Sequence, residues 1–116
     1  MHELGYTKYL FDQVLQEAEK NSANHVSHVH LVLGELSGYV SDSIQFYWDS
    51  ISKGSIAEKA QITYTYKRVE WICTACNKQF ISPTDSSRCP NCDSPKIGIN
   101  SGDECFIKSM TFNQEL

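Results

Sequence analysis

The chain has 116 residues, enough for one small domain or one domain carrying a small module. Ten basic against 14 acidic residues give a net charge of −4, which argues against a free nucleic-acid binder, while 41% apolar residues suffice for a modest core. No stretch approaches the length of a membrane span, and five cysteines without a leader of basic and apolar residues predict a reducing, cytoplasmic setting.

In chain order, Met1-His2-Glu3-Leu4 opens the sequence. From Leu4 to Lys20 the residues Tyr6, Leu10, Phe11, Val14, Leu15 and Ala18 recur at helical spacing, and the polar run from Asn21 to Asn24 ends the helix. Val26 to Leu33 reads as a strand, with Val29, Leu31 and Leu33 on one face and His28, His30 and Val32 on the other. His28 and His30 then stand about 7 Å apart by strand rise. They read as two partly exposed histidines on a polar face, with a weak metal site, to which His25 could add, as the alternative. Gly34 and Gly38 bracket a turn containing Glu35.

A second helix is expected from Asp42 to Lys53, capped by Ser41 or Asp42, with Asp42 and Gln45 at capping-box spacing. Its buried stripe would be Ile44, Tyr47, Trp48 and Ile51, and Gly54 would stop it. Ala60 to Val69 alternates as a strand, Ile62, Tyr64 and Tyr66 against Thr63 and Thr65. After a cysteine-bearing segment, Glu104 to Phe112 forms the last strand, with Phe106, Met110 and Phe112 in register and Cys105 as a small buried hydrophobe.

Two helices and two strands cannot bury themselves until the last strand returns to the first two. The predicted fold is therefore α+β: a small three-stranded mixed sheet with two helices, plus an inserted zinc-ribbon module. The expected division is a discontinuous domain of residues 1–68 and 103–116, interrupted by a zinc-binding module over residues 69–102.

Within that module, Cys73-Thr-Ala-Cys76 and Cys89-Pro-Asn-Cys92 each form a tight turn aiming two sulfurs at one point. Four thiolates are the closed tetrahedral set of a structural zinc, which keeps no open position for chemistry. Iron takes the same ligands, and two disulfides or redox thiols are the other readings; no βαβ unit flanks the pairs to support redox use. Metal binding of about 10–16 kcal/mol would hold a segment this poor in aliphatic residues. Pro90 and the polar run Ser82 to Arg88 fit short hairpins around it.

No nucleophile and base constellation, phosphate loop or H-E-x-x-H is present, so no enzyme activity is expected. His2 carries a different chemistry. A free α-amine on Met1, the backbone nitrogen of His2 and its imidazole close two adjacent chelate rings. The backbone nitrogen of Glu3, or a ligand from elsewhere, completes a plane that suits Ni(II) or Cu(II). The plainer account of these residues is a frayed terminus.

Met1-His2-Glu3-Leu4, Gly34-Glu35-Leu36-Ser37-Gly38, Cys73-x-x-Cys76, Cys89-Pro-x-Cys92 and Gly102-Asp-Glu-Cys-Phe-Ile-Lys-Ser occur in this order over nearly the whole length. In that combination the sequence resembles the HypA/HybF family of nickel metallochaperones for hydrogenase maturation. The resemblance implies His2 as nickel anchor with the Met1 α-amine, Glu3 shaping the site, and Cys73, Cys76, Cys89 and Cys92 holding structural zinc. It implies Ni(II) as cargo for the large subunit of [NiFe]-hydrogenase, a HypB-type nickel-binding GTPase as partner, urease and its accessory proteins in some organisms, and neither membrane nor nucleic acid. Cys105 stands where an aliphatic residue is expected, and no histidine follows His30. The alternatives are a zinc-ribbon adaptor and a nucleic-acid-binding module exposing Trp71 and Phe80, neither with a nickel function.

Overall fold

The computed structural model describes residues 2–81 and 88–113, and of His2 the backbone alone. Helix α1 (His2–Lys20) starts at the second residue. Its apolar positions Leu10, Val14 and Ala18 are buried, and Phe11 meets Trp48 edge to face at 5.6 Å between ring centres. Trp48 and Ile44 form the buried side of helix α2 (Ser41–Ile51), which packs on α1.

Three strands follow the sheet order β2, β1, β6: β1 (His25–Gly34), β2 (Gln61–Lys67) and β6 (Cys105–Asn113). Cross-strand hydrogen bonds give the strand directions. His28 meets Thr63 and His30 meets Thr65, so β1 and β2 run parallel. Asn24 bonds Asn113, Ser27 bonds Thr111 and Gly34 bonds Glu104, so β6 runs antiparallel to β1. The sheet is mixed, as the α+β reading requires. Val29, Leu31 and Leu33 are fully buried on one face of β1. On β2, Tyr64 donates to Gln45 of α2 at 2.9 Å, which places α2 over the side opposite Thr63 and Thr65.

A second sheet holds β3 (Glu70–Cys73) between β4 (Gln79–Ile81) and β5 (Ile97–Ser101), both antiparallel to it. The chain divides into two compact units. The first runs up to Val32, resumes over Tyr39–Thr65 and closes from Phe106 onward; the second comprises Leu33–Gly38 and Tyr66–Cys105. Leu33–Gly38 is a strap that includes a 3-10 turn over Glu35–Ser37 and ends on Gly38 in left-handed conformation. It is tied down by Gly34 N–H to the Glu104 carbonyl, Leu36 N–H to the Gly102 carbonyl, and the Glu35 carboxylate accepting Val69 N–H at 3.0 Å.

Several expectations need correction. α2 is preceded by Val40 in extended conformation with no side-chain cap, because the helix begins at Ser41. Gln45, expected to reach back in a capping box, bonds Asp49 and Tyr64 instead. The helix ends at Ile51, where Ser52 N–H still bonds the Trp48 carbonyl, and Gly54 falls in the turns beyond it. β2 stops at Lys67, since Val69 N–H is taken by Glu35. Phe106 is 44% exposed and out of register with Met110 and Phe112: burial alternation breaks at Lys108 and Ser109, two successive exposed residues. Cys105 is half-buried rather than buried.

Backbones meet so closely at the strap that side chains are excluded. A Cβ on Gly34 would lie 2.5 Å from the Gly102 carbonyl oxygen, and one on Gly102, at φ +105°, would lie 2.7 Å from the Val69 Cα. Gly5 in α1 has open space around it. Urea denaturation should therefore separate the two kinds of glycine. Gly102→Ala should lose about 2 kcal/mol or more through forced backbone movement, whereas Gly5→Ala should gain about 0.5–1 kcal/mol of helix propensity.

Candidate metal centre

Cys73 ends β3, Cys76 lies in the turn after it, and Cys89 and Cys92 flank the second turn. Both turns are built alike. Asn77 N–H bonds the Cys73 carbonyl and Asp93 N–H the Cys89 carbonyl, each at 2.8 Å. Cys73 N–H bonds the Lys78 carbonyl and Cys89 N–H the Ser94 carbonyl, each at 2.9 Å. To close these loops, Asn77 and Asp93 adopt φ of 65° and 63°. Asn and Asp tolerate that left-handed region better than other residues with a Cβ. The two turns are thus interchangeable devices, each pointing its sulfurs inward.

All four sulfurs lie within 4.8 Å of one another. Cys73 and Cys92 Sγ are 3.5 Å apart, and Cys76 and Cys89 Sγ 3.7 Å apart. Four sulfurs around one zinc at about 2.3 Å each define a tetrahedron with edges of about 3.8 Å, so the donor set fits a single tetrahedral ion. Asn91 supports it from outside: its N–H donates to Cys89 Sγ at 3.3 Å and its side-chain Nδ2 to Cys76 Sγ at 3.6 Å. Arg88 braces the second turn by donating to the Asp93 carbonyl at 2.9 Å.

The sulfurs do not share charge evenly. The Asn91 side chain, then the Lys78 backbone, lower the Cys76 thiol to about 6 from 9.0, against desolvation. For Cys92 the Ser94 backbone works downward, but Cys73, desolvation and the other two sulfurs outweigh it and push Cys92 up to about 12. One thiolate forms readily and a further one is resisted by its neighbours. A divalent cation would remove this difference, because coordination displaces the remaining protons outright.

The structure brings Cys73, Cys76, Cys89 and Cys92 together in the second unit. Glu3 sits half-buried in the first turn of α1, its carbonyl accepting the Thr7 hydroxyl. Met1 and the imidazole of His2 lie outside the described residues, as does the run of residues 82–87 expected to form hairpins. Sequence reasoning missed Asn77, Asp93 and Asn91. The available signal was an Asn or Asp directly after the second cysteine of each pair, a residue type suited to φ above zero. Accordingly, in protein loaded with zinc, Asn77→Val should speed its transfer to a competing chelator, with a cost of about 1–2 kcal/mol for a β-branched residue in this conformation. Asn77→Gly should transfer zinc at the native rate.

A family model described as HypA, hydrogenase/urease nickel incorporation, metallochaperone, matches residues 1–112. The hydrogenase maturation factor HypA of Caldanaerobacter subterraneus subsp. tengcongensis is 35% identical over 111 residues, covering 95% of this chain and 97% of that protein. The HypA of Parabacteroides distasonis is 34% identical over 115 residues, covering 99% and 100%. In fold, the chain resembles the solution structure of the Ni metallochaperone HypA from Helicobacter pylori, with a TM-score of 0.75 and 24% identity over 99% of this chain and 100% of that one. A match that begins at the first residue and runs through both units makes this chain a member of the HypA family, the metallochaperones of nickel incorporation into hydrogenase and urease.

Proposed function

We propose that the protein captures Ni(II) at its N-terminus, through the Met1 α-amine, the backbone nitrogen and imidazole of His2, and a fourth ligand next to Glu3. It then delivers the ion to the large subunit of [NiFe]-hydrogenase. The whole-chain family match from residue 1 carries this reading. The start of α1 supports it. The chain enters the helix at His2, and the first-turn N–H groups of a helix are not committed to its own ladder. Nitrogens there can turn toward an ion without breaking helical bonds.

Delivery is ligand exchange without turnover. A docked acceptor replaces the nitrogens one at a time, and the chain needs no catalytic group. A HypB-type nickel-binding GTPase is the expected partner in loading or release, with urease and its accessory proteins as a second destination. Zinc in the four-cysteine cluster is structural, since four sulfurs leave the ion no open position. That cluster holds metal only while its thiols stay reduced, which fits a cytoplasmic setting.

The deciding experiment is a nickel titration of zinc-loaded protein that begins at Met1 with a free amine, run beside His2→Ala. One equivalent should bind the native chain, with the weak yellow band of square-planar Ni(II), and should be lost in the variant. Equal binding by both proteins would remove the N-terminal site. Ligation requires a neutral imidazole, so nickel binding should weaken as pH falls through about 6.5. A titration unchanged between pH 7.5 and 5.5, values chosen to bracket the ordinary histidine pKa of about 6.5, would contradict a histidine anchor.

A further inference from the structure

β1 is the central strand of its sheet, and His28 and His30 occupy the face opposite Val29, Leu31 and Leu33. Both are half-buried. Each ring makes the same contact one rung along: His28 Nε2 is 2.9 Å from Thr63 Oγ1, and His30 Nε2 is 2.7 Å from Thr65 Oγ1. The parallel pairing of β1 and β2 produces this repetition. The two rings therefore lean the same way across β2, about 7 Å apart. His25 is not part of the pair: it is exposed and lines a separate cavity of about 360 Å³ with Glu58, Lys59 and Asn113.

Two imidazoles at alternate positions of one strand can serve one ion. With metal–nitrogen bonds of about 2.0–2.1 Å, the two Nε2 atoms must stand about 3 Å apart. Closing the gap moves each ring tip by about 2 Å, a tilt of about 25° that stays within one rotamer well. The hydroxyls of Thr63 and Thr65 are exchanged for the ion. We propose that His28 and His30 form a two-imidazole chelate for a divalent transition-metal ion of the nickel and copper class, distinct from the cysteine cluster. Imidazole selects this class.

Among the described residues, no Asp, Glu or Cys joins the pair in a group of three metal donors. Water fills the remaining positions, so the site is labile and weaker than a closed one. Ni(II) held this way is six-coordinate and paramagnetic. Square-planar Ni(II) is diamagnetic, so the inference is testable whether or not nickel also binds at the N-terminus.

The experiment is a Ni(II) titration, then a Cu(II) titration, of zinc-loaded full-length His2→Ala protein, followed by amide and side-chain NMR. The expected result is paramagnetic broadening centred on His28, His30, Thr63 and Thr65. Adding either His28→Gln or His30→Gln should weaken that binding about tenfold or more, by removing one arm of the chelate. Glutamine keeps a hydrogen-bonding partner for each threonine, and the same spectra report that the sheet is intact. Broadening centred on His25, or binding unaltered by both glutamine substitutions together, would overturn the proposal.

Discussion

Four sulfurs converging within 4.8 Å form an arrangement that works against itself until a cation joins it. The opposed displacements of Cys76 and Cys92 express that conflict: one thiol gives up its proton and the next is held back by the charge already present. Little else in the second unit can hold it. Its strands are three to five residues long, and few of their side chains are buried. Val69, Cys73 and Cys89 are the buried apolar residues among those described there, apart from Leu33 on the strap. An ion held by the four cysteines would take the place of a hydrophobic core.

The first unit is stabilised differently. Leu10, Val14, Leu31, Ile44 and Trp48 supply an ordinary apolar interior. No helix among the described residues is long and apolar enough to cross a membrane. The strap Leu33–Gly38 joins the two regimes in sequence. It continues β1, whose earlier residues belong to the first unit, and it is fastened in the second by Glu35, Gly34 and Gly102. Such close backbone approach is available only to glycine, at Gly34 and at Gly102.

Much of this was readable in advance, for physical reasons that differ by element. The helices announced themselves because burial follows the 3.6-residue period, and β1 because Val29, Leu31 and Leu33 alternate with polar residues. The cysteine cluster was legible from spacing alone, since a two-residue gap leaves the chain few ways to place both sulfurs. What escaped notice depends on long-range contacts. Gln45 fitted a local capping pattern, but Tyr64, 19 residues away, competes for it. Phe106 fitted an alternating strand, but β6 changes parity at Lys108 and Ser109. The membership of the strap in the second unit rests on the carbonyls of Gly102 and Glu104, far along the chain. Local pattern carries no information about such partners.

The broken alternation of β6 has a consequence for solution behaviour. β6 lies at the margin of its sheet, with its outer backbone groups facing away from β1. A long, regular strand in that position is a template on which another chain can add and seed aggregates. Two adjacent outward residues, one of them a lysine, disrupt the flat hydrogen-bonding edge that such growth needs. The irregularity that spoils the sequence pattern also works against unwanted polymerisation, at the cost of leaving Phe106 44% exposed.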